Sequence, residues 1–219
     1  MNLSDSIVSS NSSVVVTGAM NPTIHHPFWY KFHDLISEDS YKKALNPSML
    51  VSPAISQINF GEYHLACEQE KWSLIVDSIE KIKDVTTIAS KVFKLLGETP
   101  LSAYGLNFQV HLKTKYLNAG NEISKLIADL QKKFLLDDVA DNAGVTLITR
   151  NERNIQNLAI QQSAFGKDCL YIGLNYHFII KELIPKDQSQ FELEDLISVD
   201  LESCKEKSYK IISNILTNF

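Results

Sequence analysis

Residues 101–113 read Leu-Ser-Ala-Tyr-Gly-Leu-Asn-Phe-Gln-Val-His-Leu-Lys, an almost strict alternation of apolar and small or polar side chains. Tyr104, Leu106, Phe108, Val110 and Leu112 project one way, and Ala103, Gly105, Asn107, Gln109 and His111 the other, because strand side chains repeat every two residues. Residues 169–181 repeat the pattern. There Leu170, Ile172, Leu174, Tyr176, Phe178 and Ile180 share a face, with Gly173, Asn175 and His177 opposite. Both stretches carry a Gly-Leu-Asn-aromatic core, at Gly105–Phe108 and Gly173–Tyr176. The matched parity predicts two paired, central strands of one sheet.

Upstream, Gln57–Phe60, Tyr63–Cys67 and Trp72–Val76 are three short alternating runs, which predicts three strands. The period then changes. Ile79, Ile82, Val85, Ile88, Ala89, Val92, Phe93 and Leu96 trace one side of a helix, with Gly97 expected as a left-handed cap and Pro100 forbidding continuation. Val14–Val16 opens an expected strand to about Met20, and the Ser/Asn-rich residues 1–13 before it read as a loose leader. Phe28, Phe32, Leu35 and Ile36 predict an apolar helical face, which Asn46-Pro47 ends beyond Leu45. Downstream, Ile123, Leu126, Ile127, Leu130 and Phe134 predict a helix, and strands are expected at about 144–150 and 155–163. A terminal helix uses Leu196, Ile197, Leu201, Cys204, Ile212 and Ile215.

Written as elements, the chain is strand–helix–three strands–helix, twice: about 14–97 and about 101–217. The fold class is therefore α+β, a single domain over 14–219 with an antiparallel sheet covered by helices. This order resembles the TATA-box-binding-protein-like duplicated saddle and, less closely, the helix-grip fold. The resemblance implies a curved sheet with two long helices on one side. It lies in topology alone and brings no functional residues with it.

Composition narrows the function classes. The 219 residues carry a formal net charge of −5, with 44% hydrophobic and 21% charged residues. That balance argues against nucleic acid and anionic membranes, whose affinity comes mainly from concentrated positive charge. No run approaches the roughly 18 apolar residues of a membrane span. The cysteines, Cys67, Cys169 and Cys204, lie in apolar-periodic segments without a CxxC pair, so buried free thiols in a reducing cytoplasm are expected, with no zinc site. No basic-then-apolar signal segment opens the chain.

If the apolar parity meets the helices, the opposite parity forms a nearly uncharged, amide-rich strip. Asn59, Asn107, Gln109, His111, Asn175 and His177 are its candidate binding residues, with Gln57, His64, Gly105, Asn157, Gln161 and Gly173 beside them. Amides offer donors and acceptors without a charge to desolvate, which suits recognition of a protein partner or a second copy of the chain. His64, His111 and His177 lack a nearby carboxylate or cysteine at ligand spacing, so no metal or other cofactor is expected. Asp137, Asp138 and Asp141 read as a helix-exit loop, and His25, His26 and His33 as loop decoration. No GxGxxG, Walker, HExxH or GxSxG motif occurs. The expectation is a non-enzymatic cytoplasmic binding or assembly protein. The alternative is a small-molecule binder or unusual hydrolase with a pocket under the terminal helix, lined by Tyr104, Tyr171, Tyr176, His111 and His177.

Overall fold

A computed structural model describes residues 3–126, 144–183 and 192–218. Nine strands form one sheet: β1 Ile7–Gly18, β2 Leu50–Val51, β3 Ile55–Asn59, β4 Tyr63–Glu68, β5 Lys71–Val76, β6 Leu101–Lys113, β7 Gly144–Arg150, β8 Ile155–Gln162 and β9 Cys169–Ile179. Among the described residues the α-helices are α1 Leu3–Ser6, α2 Pro27–Phe32, α3 Glu38–Ala44, α4 Ile82–Leu95, α5 Ala119–Leu126, α6 Ile180–Leu183 and α7 Leu193–Asn218. The strand order is β2-β3-β4-β5-β1-β6-β9-β8-β7, and every neighbouring pair is antiparallel. This is an α+β fold.

One face of the sheet makes the core. Leu65, Leu74, Val14, Leu106 and Tyr176 follow one another across β4, β5, β1, β6 and β9, all buried. On them lie Val85, Ala89, Val92 and Phe93 of α4 and Ile197, Leu201, Cys204 and Ile212 of α7. Each large apolar side chain so buried contributes roughly 1.5–3 kcal/mol. Tyr104 stacks on Phe178 at 4.6 Å between ring centroids, and Trp72 meets Phe93 edge-on at 5.4 Å. α5 lies on the same face, packing Ala119 and Ile123 on Leu170. Tyr30 of α2 and Ala44 of α3 complete that side next to Phe60.

Four expectations change. The stretch read as a loose leader is structured from Leu3, and Ile7–Ser13 is the first half of β1, a strand between two others. Its serines and asparagine need no apolar periodicity, because β6 pairs with them along the backbone and the buried Ser12 hydroxyl donates to the Ser78 carbonyl at 2.6 Å. The first helical face holds only in part: Leu35 is buried and Ile36 packs on the core, but both follow the end of α2. Phe28 and Phe32 are exposed, and Tyr30 is fully buried because its hydroxyl is held between Trp72 Nε1, which donates at 3.1 Å, and His25 Nδ1, at 2.8 Å. Gly97 is not left-handed: α4 closes with the Leu96 N–H on the Val92 carbonyl, and the glycines with positive φ are Gly61 and Gly166. Ile127, Leu130, Phe134, Asp137, Asp138 and Asp141 lie outside the described residues.

His25 is a core residue and not loop decoration. Tyr30 accepts from the tryptophan, so its own proton goes to His25 Nδ1 and the imidazole is held neutral. Burial depresses its pKa from 6.5 to about 4. Next to it, His26 caps α2, its Nδ1 accepting from the Phe28 N–H at 3.1 Å.

Candidate recognition face

β1, β6, β9 and β8 lie side by side, and their register sets residues of one parity in rows across the opposite face of the sheet. Ser13 pairs with Asn107, Asn107 with Asn175, and Asn175 with Asn157. Their side chains are hydrogen-bonded along the row. Asn157 Nδ2 donates to Asn175 Oδ1 at 3.3 Å, Asn175 Nδ2 to Asn107 Oδ1 at 2.5 Å, and Asn107 Nδ2 to Ser13 Oγ at 3.1 Å. All three amides donate in the same direction, from β8 toward β1. Each Nδ2 uses one of its two protons in the row, which leaves the other, with carbonyl lone pairs, for a ligand.

The neighbouring row joins Asn11, Gln109 and Gly173, with Asn11 Nδ2 donating to Gln109 Oε1 at 3.2 Å. Tyr171 folds over Gly173, where an added Cβ would come within 2.6 Å of the tyrosine hydroxyl. The missing side chain at Gly173 is what lets the Tyr171 ring lie there; any larger residue would make the tyrosine shift. One row further, His111 lies opposite Tyr171, with ring centroids 5.2 Å apart, and meets Phe165 edge-on at 4.6 Å. Its Nδ1 is 2.7 Å from Ser163 Oγ, which already accepts the Phe165 N–H at 3.0 Å. Ser163 Oγ and His111 Nδ1 share one hydrogen bond, and burial lowers the His111 pKa, which favours the neutral ring in this aromatic corner. With its hydroxyl buried and both bonds made, Ser163 is a poor nucleophile.

Asn107, Gln109, His111, Asn175 and His177 therefore lie on two adjacent strands, all half-buried, in a strip without a formally charged side chain from Ala103 to His111. Other expected groupings do not form. Asn59 falls on the same row as Asn107, but β4, β5 and β1 separate them by roughly 19 Å, and Ile75 interrupts the polar run. His177 is opposite Gly105, about 20 Å along the strands from His111, and His64 is on β4, so the three imidazoles do not converge. Among the described residues no three His, Cys, Asp or Glu side chains are grouped to hold a metal ion. The pocket expected under the terminal helix is divided by the sheet: Tyr104 and Tyr176 are buried beneath α7, while Tyr171, His111 and His177 are on the other face.

Two members of the strip were hidden in sequence, Asn11 and Ser13. Counting parity backwards from the buried Val14 and Val16 places them opposite the core, a signal that was there to use. Phe165 was missed because it sits in a turn, beyond any strand periodicity. The chain matches no protein-family model and no curated protein.

Proposed function

We propose that the protein is a non-enzymatic binding or assembly protein that engages a protein partner, or a second copy of itself, through the amide face built on β1, β6, β9 and β8. One observation carries this reading: the row from Asn157 through Asn175 and Asn107 to Ser13 runs unbroken across four strands, on the side away from α4, α5 and α7. A solvated sheet face needs no such order. Fixed amides are preorganised, so less side-chain freedom is lost when a partner's polar groups dock. The lack of charge on the strip favours a neutral polar surface over phosphate or an acidic peptide.

Two finer readings accompany it. The chain is two related halves joined back to back, a reading supported by a strand order that runs outward as β1-β5-β4-β3 on one side and β6-β9-β8-β7 on the other. Its compartment is the cytoplasm, a reading supported by three buried thiols, none of them in a disulfide. No described helix is long and apolar enough to cross a membrane.

The test is affinity purification from the native host with the wild type and Asn175→Asp. The charge enters the centre of an uncharged strip while the opposite, core face is untouched. A specific co-purifying protein retained by the wild type and lost with the variant is expected. Retention of every partner by a folded Asn175→Asp protein would overturn the reading.

A further inference from the structure

The two edges of the sheet differ. β2 is only Leu50–Val51, a stub between Pro47 and Pro53, which suits a protected edge. β7 is seven residues long, Gly-Val-Thr-Leu-Ile-Thr-Arg, and among the described residues it pairs with β8 alone. Neither proline, bulge nor inward charge interrupts it, and Arg150 at its end is its one charged residue. Leu147 is 52% exposed and Ile148 is 70% exposed, on opposite faces of the strand. The edge is also held in place. Asn151 Oδ1 accepts the N–H groups of Arg153 and Asn154 at 2.8 Å each, and the Arg153 guanidinium is anchored on Asp200 of α7.

We infer that β7 is a self-pairing edge, which joins two copies of the chain by antiparallel strand addition about a two-fold axis at Leu147. An isologous contact places the same patch on both sides, so the strand must complement its own reverse. β7 does. With Leu147 opposite Leu147, Thr146 faces Ile148 and Val145 faces Thr149, pairs of β-branched residues that suit cross-strand packing. Arg150 then lies opposite Gly144, and the two arginines are about 20 Å apart, beyond the screening length at physiological salt. Parallel pairing would set the two arginines side by side. Main-chain hydrogen bonds supply the attraction, and the exposed Leu147 and Ile148 gain cover. A seven-residue edge is small against the roughly 1,200–2,000 Å² of stable interfaces, so the dimer is concentration-dependent. This contact is independent of the amide face and stands if that reading fails.

Sedimentation equilibrium of the full chain across micromolar concentrations tests it, alongside Leu147→Lys, which sets like charges directly opposite, and single cysteine variants. Wild type should pass from monomer to dimer, and Leu147→Lys, shown folded by circular dichroism, should weaken the dimer at least tenfold. Leu147→Cys should form an intermolecular disulfide under mild oxidation, because residues directly opposite approach within bonding reach. Val145→Cys should not, since its counterpart lies about 13 Å away. A wild type that stays monomeric, or cross-linking as fast at 145 as at 147, overturns the inference. If Leu147→Lys fails to fold, the cysteine pair alone decides.

Discussion

Arg153, in the turn between β7 and β8, grips Asp200 of α7 with two parallel hydrogen bonds, Nε to Oδ1 at 2.8 Å and Nη2 to Oδ2 at 2.7 Å. The carboxylate is buried, and the Tyr104 hydroxyl is shared between it, at 3.2 Å, and the Leu196 carbonyl, at 3.1 Å. Burial first, then the Asp200 charge, pushes the Tyr104 phenol up. This one residue ties the outer hairpin and the central β6 to the terminal helix. Arg153→Ala strands a buried carboxylate and should destabilise by about 2–3 kcal/mol in a urea melt. Arg153→Ala with Asp200→Asn should recover part of that loss. A single variant as stable as wild type would show that water replaces the arginine fully.

The His25–Tyr30–Trp72 chain makes stability pH-dependent. In the unfolded chain His25 takes up a proton near pH 6.5, whereas in the native protein burial delays this to about pH 4. Between these values the unfolded state binds more protons. Stability present above pH 6.5 is therefore lost as the pH falls toward 4, by up to about 3 kcal/mol. Denaturant melts at pH 7 and pH 4.5 should show a smaller difference in His25→Gln than in wild type. Equal differences would mean that other groups carry the acid sensitivity.

Phe108 is buried on β6 and meets Tyr176 edge-on at 6.1 Å. Phe108→Ala should cost about 3–5 kcal/mol. Ala89 is fully buried in α4, so Ala89→Asp puts an unpaired charge in the core, at several kcal/mol. Losses below about 1 kcal/mol for either would contradict the assignment of the core face.

The three thiols should be slow to react in the native protein. Burial pushes Cys67 and Cys204 up to about 12 and raises Cys169 as well, so little thiolate exists at neutral pH. Titration with a chromogenic disulfide should find under one reactive thiol per chain before denaturation and three after it.

What sequence could and could not disclose follows from where the information sits. β6 matches its expected bounds because half of its residues face a dry core and half do not, which writes a period of two into the chain. The same period marks β9, although the strand stops at Ile179 and the expected residues Ile180 and Lys181 turn into α6, and a period of 3.6 marks the buried stripe of α4. β1 is different. From Ile7 to Ser13 it is fixed by backbone pairing with β6, which any residue but proline can supply, so serines and asparagine there resemble a tail. Tyr30 and Arg153 were illegible for another reason: their partners, Trp72 and Asp200, are 42 and 47 residues away. On the amide face, parity placed Asn107, Gln109, Asn175 and His177 together, while the hydrogen-bonded row needed a register that alternation alone cannot fix.

The central claim is that the amide row serves recognition and contributes little to folding. Asn107 and Asn175 are half-buried, so water can take over their bonds, each worth about 1 kcal/mol net. The most direct measurement follows thermal melting and complex formation together in the double variant Asn107→Ala and Asn175→Ala. The account predicts a melting temperature within a few degrees of wild type and at least tenfold weaker binding of the protein that co-purifies with the native chain. A variant that unfolds, or a stable one that binds its partner as before, would contradict it.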